Sequence, residues 1–210
     1  GANISKITHG AWFPLLIGLV GYTVMQTWKQ GRVVLASRIR AKALSFPTLI
    51  RRLQKEPPVR VPGSAVYMAG NPHGTPSALL NNLRHNKVLH EEVVILTISF
   101  LEEPYVPASE TVSMESVGDG IFTAVARYGF MQEPDVMDVL SALRALGREV
   151  PSRETSFFVG RERLLPRRDS EFPLWREKIF AFLSRNAQGA TEYFHIPPRQ
   201  VMEVGAQIEL

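Results

Sequence analysis

The pattern of hydrophobic and polar positions begins with a long apolar stretch near the N-terminus. Between Lys6 and Lys29 there are 22 consecutive residues without a formal charge, about what a helix needs to cross the hydrocarbon core of a bilayer. Trp12 and Trp28 lie near its two ends, where amphipathic rings prefer the headgroup level. The stretch predicts a membrane-spanning helix, and the alternative is a buried core helix of a soluble protein.

A basic band follows this stretch. From Lys29 to Pro62 there are nine basic residues and a single acidic one. Positive residues beside a span favour the cytoplasmic side, so the chain after residue 30 is expected in the cytosol. The apolar positions keep a helical rhythm that Pro47 interrupts, since proline breaks or kinks a helix. The band is interpreted either as two basic amphipathic helices on anionic lipid of the inner leaflet or as a linker packed on the following domain.

From Val61 onward the patterns predict an α/β domain. Ser64–Ala69 is a short apolar run and Glu91–Phe100 is rich in β-branched residues. Both are predicted to be buried strands, parallel to each other across a helix that Thr75-Pro76 introduces. The other predicted elements are a hairpin of Thr111–Ser116 and Ile121–Arg127, a helix over Pro134–Leu146, a strand over Thr155–Gly160, a helix over Phe172–Ala187 and a strand over Val201–Leu210. Helices that alternate with strands predict a mixed β-sheet with helices on its faces.

Composition narrows the class of protein further. The chain contains no cysteine, which excludes disulfides and cysteine-based zinc sites. From Gly63 to Leu210 there are 14 basic and 19 acidic residues, so the positive charge belongs to the band and not to the folded domain. A nucleic-acid-binding domain carries its basic face on the fold itself, and no nucleic-acid partner is expected.

The chain lacks three common motifs of catalytic, metal and nucleotide-binding sites. GxSxG, HExxH and GxxxxGK[ST] are all missing from the sequence. His85 and His90 are five residues apart about a helix end, a spacing that does not place both on one face. We therefore predict a protein that is not an enzyme, with no catalytic residue, no metal ligand and no cofactor.

One loop has the local chemistry of an anion site. A strand end, a glycine-bearing turn and a helix N-terminus meet in Gly70–Thr75, and such turns can offer backbone N–H groups to a phosphate. The candidate anion or nucleotide residues are Asn71, Gly74 and Thr75. An ordinary tight turn before a helix would have the same sequence, so both interpretations stay open.

Several long strings of the sequence, spread over nearly the whole chain, are distinctive. They are Gly10–Gly18, Thr27–Arg32, Val61–Tyr67, Leu79–Glu91, Val125–Met131, Thr155–Glu162, Trp175–Ala187 and Ile196–Leu210. Together these strings resemble the KUP/HAK/KT family of potassium transporters. One departure is Ala11, where the family pattern usually has glycine.

The resemblance implies the C-terminal part of a bacterial inner-membrane protein that takes up potassium together with protons. Residues 1–30 would be the last transmembrane helix, 31–60 a basic linker at the inner leaflet and 61–210 a cytosolic domain that assembles or regulates the transporter. The missing initiator methionine agrees with an excised fragment, and the potassium pathway would lie in earlier helices. Some relatives are regulated by a cyclic dinucleotide, so a membrane-tethered nucleotide sensor is the alternative. Membrane lipid and a second copy of the chain are the other expected partners.

Overall fold

The computed structural model of the chain describes residues 12–147, 154–165, 173–187 and 189–209. Contacts between Cα atoms divide the chain into two compact units. The first holds residues up to Ala41 together with 164–187 and 208–210, and the second holds 42–163 and 188–207. The second unit contains nearly the whole β-sheet, and the first contains two helices.

The second unit is built on a six-stranded sheet with the order β3-β4-β2-β1-β5-β6. β1 lies parallel to both β2 and β5, β2 lies parallel to β4, and β3 is antiparallel to β4. The mixed sheet and the parallel pairing of the first two strands confirm the prediction. The strands are β1 (Val59–Ala69), β2 (Val88–Leu101), β3 (Val112–Gly118), β4 (Ile121–Gly129), β5 (Ser156–Leu165) and β6 (Val201–Glu209).

Helices cover both faces of this sheet. α2 (Phe46–Lys55) and α3 (Ser77–His85) pack on one face, while α4 (Val136–Ala145) packs on the other. Because successive side chains of a strand point to opposite faces, Tyr67 of β1 enters the core under α2 and α3 and Val66 enters the core under α4. The apolar face of α2 is thus used inside the second unit, as in the linker interpretation of the basic band.

The first unit contains α1 (Trp12–Lys42) and α5 (Leu174–Asn186). α1 is continuous through Trp28 and the first half of the basic band, because no proline or glycine pair interrupts it there. The predicted N-terminal helix is therefore present and longer than the charge-free stretch. Within the described ranges, no helix is both long enough and apolar enough to meet the usual criteria for a membrane span.

The β3–β4 hairpin turns through Asp119 and Gly120, both with positive φ. Two such residues make the type I′ turn that suits the twist of a hairpin, and the predicted hairpin is confirmed. Arg60 fastens this turn to the sheet. Its guanidinium donates to the Asp119 carboxylate at 2.7 Å and to the His90 carbonyl at 2.9 Å.

Several boundaries differ from those predicted. β1 starts at Val59 because the strand continues through a bulge between Val61 and Ser64, where Gly63 has φ +95°. α4 starts at Val136, after the Asp135 carboxylate accepts a hydrogen bond from the amide of Met137. The short helix α6 (Ala190–Tyr193) was not predicted, and the predicted helix start at Phe172 lies outside the described residues.

Candidate functional site

The predicted anion loop lies where an open α/β sheet most often binds ligands. β1 is followed by α3 and β2 on one side, whereas the chain returns from β4 through α4 to β5 on the other side of β1. Ligands bind at the carboxyl ends of strands where the order reverses in this way. The Gly70–Thr75 segment leaves the carboxyl end of β1 at this point, so the location fits the hypothesis.

The polar groups of the loop are largely engaged within the protein. The amide of His73 donates to the Asn71 side-chain oxygen at 3.1 Å, and the amide of Thr75 donates to the carbonyl of Leu44 at 3.0 Å. A side chain on Gly74 would meet the methyl group of Ala43 at 3.0 Å. The loop thus brings Asn71, Gly74 and Thr75 together, but the α1–α2 connector covers two of them.

Thr75 does not cap α3 as the sequence predicted. α3 begins at Ser77, Pro76 occupies the N-cap position, and no side chain there makes a capping hydrogen bond. The Thr75 side chain is buried, and its hydroxyl has no hydrogen-bond partner within the described part of the chain. Thr75 is therefore held by its burial beside the α1–α2 connector and not by a capping hydrogen bond to α3.

A second site of interest is the contact between α1 and α5 in the first unit. The guanidinium of Arg176 donates to the Thr27 hydroxyl at 3.1 Å. One turn further along both helices, the ring of Phe180 lies directly over Gly31 and contacts Leu35. The contacts advance together along both helices, so α1 and α5 run in the same direction. The sequence pattern did not predict this pairing.

Four arginines follow β5 or lie near its end, at positions 161, 163, 167 and 168. The Arg161 guanidinium pairs with the Glu203 carboxylate at 2.8 Å on the surface, and the side chains of Arg163, Arg167 and Arg168 lie outside the described structure. Nowhere in the described ranges do three metal-ligating side chains come together.

His90 is the titratable group whose environment matters most in this region. Its ring packs edge-on against Phe158 at 6.0 Å between centroids, and burial lowers the pKa of the His90 imidazole below its ordinary value. Its Nδ1 atom is buried without a hydrogen-bond partner among the described residues. The charged form is therefore disfavoured in the folded state.

We expect stability of the second unit to fall as pH drops below the ordinary histidine pKa of about 6.5. The unfolded chain then binds a proton that folded His90 resists, and the loss levels off below the lowered folded pKa. Because His90 is partly exposed, we expect the effect to be small. Urea midpoints across this window should show the decline, and His90→Gln should reduce it. His73→Gln, in the exposed part of the loop, should leave it unchanged; equal slopes in all three proteins would contradict the assignment.

Comparison with known proteins gives a family match for the N-terminal segment and another for the domain that follows. Residues 62–210 match the "K+ potassium transporter C-terminal domain", and residues 1–33 match the "K+ potassium transporter integral membrane domain". No solved structure matches the chain significantly.

Similar curated proteins carry matching names. The "Probable potassium transport system protein Kup" of Myxococcus xanthus is 51% identical over 210 residues, which cover 100% of this chain and 32% of that protein. A "Probable potassium transport system protein Kup 2" of Rhizorhabdus wittichii is 44% identical over the same length, with the same coverage. The one from Bdellovibrio bacteriovorus is 44% identical over 216 aligned residues. The chain spans about a third of the length of these relatives.

Proposed function

The chain belongs to the K+ potassium transporter family, and we propose on that premise that it is the C-terminal part of a protein that takes up potassium, coupled to protons, across the bacterial inner membrane. In this proposal α1 is the last helix of the membrane part. Residues after 30 lie on the cytoplasmic side, with a linker to residue 60 and a cytosolic domain from 61 onward. The observation that carries the proposal is the consecutive match of a membrane-domain profile and a C-terminal-domain profile along one chain.

The chemistry of α1 supports its place in the membrane. Its residues from Trp12 to Met25 expose a continuous series of large apolar side chains, which water disfavours and lipid accommodates. Two of its polar groups are bonded within the helix, where the Thr23 hydroxyl donates to the Leu19 carbonyl at 2.8 Å and Gln26 donates to the Tyr22 hydroxyl at 3.2 Å. Such local bonds reduce the cost of polar groups in hydrocarbon.

The second unit supplies the cytosolic part of the proposal. Two buried cores, one on each face of the sheet, give it a rigid frame. α2 packs on the sheet and follows α1 after only three residues, 43–45, so the domain is joined directly along the chain to the proposed membrane helix. The domain is thus suited to assembling or regulating the membrane part. Titration calorimetry with a cyclic dinucleotide and light scattering of the chain would test the nucleotide and homodimer partners proposed for it.

Rubidium uptake by the intact parent protein, in a bacterium that lacks its own potassium uptake, tests the proposal. We expect uptake that a protonophore abolishes, because the driving force is a proton gradient. The same protein without residues 61–210 separates the two roles: retained uptake indicates a regulatory domain, and lost uptake despite membrane insertion indicates a structural one. An inserted, intact protein that takes up no rubidium would contradict the proposal.

A further inference from the structure

We propose that the N-terminal end of α5 lies in the headgroup layer of the inner leaflet, beside α1, and that anionic lipid covers its exposed apolar side chains. This inference rests on the proposed function, because it requires α1 to be in the membrane. One of the two interpretations of the basic band after Lys29 involves contact with lipid, and α5 is a second, separate element about 145 residues further along the chain.

The depth of α5 follows from its contacts with α1. Arg176 is bonded to Thr27, which lies two residues, or about 3 Å of helix rise, before the first charge at Lys29. Since the two helices run in the same direction, Leu174 and Trp175 lie level with the last apolar turn of the charge-free stretch. Phe180 contacts Gly31 and Leu35 beyond Lys29, so the rest of α5 extends away from the hydrocarbon.

The exposed side of α5 begins with two large apolar residues and continues with basic side chains on either side of an exposed aromatic ring. Trp175 and Phe182 are seven residues apart, about two turns, and so lie on one side of the helix; they are 53% and 60% exposed. Leu174 is 60% exposed, and Lys178 and Arg185 are also exposed. We define this exposed side, made of Leu174, Trp175, Lys178, Phe182 and Arg185, as the α5 outer face.

The α5 outer face contains two basic residues and no acidic one. The only acidic side chain of α5, Glu177, is 2% exposed and lies on the opposite side, with Phe180. A large aromatic ring with neighbouring cations fits the boundary between acyl chains and phosphates, where tryptophan rings settle and lysine or arginine side chains extend to anionic headgroups. A purely apolar protein partner would leave the two charges without a counterpart.

The tryptophan of α5 has the same surroundings as the tryptophan that ends the apolar stretch of α1. Arg32 lies over the Trp28 ring with its guanidinium carbon 5.9 Å from the centroid, and Arg176 lies over the Trp175 ring at 5.9 Å. Two tryptophan–arginine pairs at nearly one level, on two helices packed side by side, define a common plane. We take this plane as the inner interface of the membrane.

Site-directed labelling of the full 210-residue chain tests the inference directly, because the chain has no native cysteine. The variant Trp175→Cys carries an environment-sensitive fluorophore, and the chain is reconstituted in nanodiscs that contain phosphatidylglycerol. Leu19→Cys, in the middle of the exposed apolar part of α1, reports insertion of α1. Met202→Cys is the matched control, because Met202 is an apolar side chain on β6 of the second unit that is as exposed as Trp175.

Quenching by brominated lipid is the measurement. We expect the label at position 175 to be quenched about twofold or more, the label at position 19 to be quenched more strongly, and the label at position 202 to be unchanged. Leu174→Cys should repeat the result for position 175 without removing the tryptophan.

The failures of the two proposals are distinguishable. If position 19 is quenched but positions 174 and 175 are not, α1 is inserted and the inference about α5 is wrong. If positions 174 and 175 lie in an apolar environment that bromine does not reach, a protein segment covers them, and the inference is again wrong. If position 19 itself is not quenched, membrane insertion of α1 fails, and with it the basis of both proposals.

Discussion

Replacing Gly129 with alanine is expected to destabilise the second unit by about 2–4 kcal/mol. A methyl group at this last residue of β4 would overlap the backbone of Pro104 and the carbonyl oxygen of Glu103. Backbone cannot rotate away as a flexible side chain can, so the loop after β2 must move as a whole.

Moving that loop also breaks a set of hydrogen bonds centred on Gln132. Its side-chain oxygen accepts from the amides of Gly129 at 2.7 Å and Val106 at 2.8 Å, and the amide of Phe130 donates to Glu103 at 2.9 Å. The two bonds to Gln132 are part-buried, so losing them costs less than the roughly 1–3 kcal/mol of a fully buried polar group and adds to the effect of the overlap.

Gly70→Ala is the matched control. Gly70 directly follows the last residue of β1, and Gly129 is the last residue of β4, so both glycines lie at the carboxyl end of a parallel strand. A side chain there meets no atom within 4 Å, and replacing glycine by alanine in an unstrained position is neutral or slightly stabilising. Urea unfolding of both variants should therefore separate them clearly. Equal midpoints for Gly129→Ala and the parent chain would show that the loop yields without cost.

Local patterns predicted most of the sheet because its strands carry their own signals. The β-branched run in β2 and the Gly118-Asp119-Gly120 turn each act within a few residues, and both appear where expected. The predicted strand boundaries were wrong where a proline or glycine lies inside the strand instead of ending it. Pro62 and Gly63 look like the end of a loop, but they form a bulge inside β1. Proline is tolerated there because a residue in a bulge does not need to donate a hydrogen bond to the neighbouring strand.

Contacts between distant segments could not be predicted from the sequence. Leu44 and Thr75 are 31 residues apart, and nothing in either segment indicates that the carbonyl of one accepts the amide of the other. The candidate loop was therefore recognised by its local chemistry, while the connector that covers it was not. The pairing of α1 with α5 is a contact of the same kind, between residues 149 positions apart.

That pairing changes how the basic band is understood. A change from apolar to basic composition after Trp28 alters the solvent a helix prefers, but it does not interrupt backbone hydrogen bonds, so α1 continues to Lys42. The C-terminal half of α1 has apolar side chains to bury, and α5 packs on it through Phe180, which is buried against Leu35. The side chain at position 31 decides how closely the two helices approach.

Gly31→Leu is expected to release α5 from α1. Even a β-carbon at Gly31 would overlap the ring of Phe180, and leucine adds three more carbon atoms in the same space. Phe180, now 1% exposed, would lose most of its burial, worth about 2–3 kcal/mol for a large apolar side chain. Hydrogen exchange of the α5 amides should accordingly become about 100-fold faster, because Phe180 is the buried apolar side chain of α5.

Val33→Leu provides the control on the same helix. Val33 is 64% exposed, so an added methylene there meets no packed side chain and leaves α5 exchange unchanged. Mass spectrometry of the peptides that cover residues 174–186, with the chain in nanodiscs, measures both variants under one condition. If Gly31→Leu and Val33→Leu exchange at the same rate as the parent, α5 is held by other contacts, and the level that the α1–α5 pairing assigns to Trp175 loses its support.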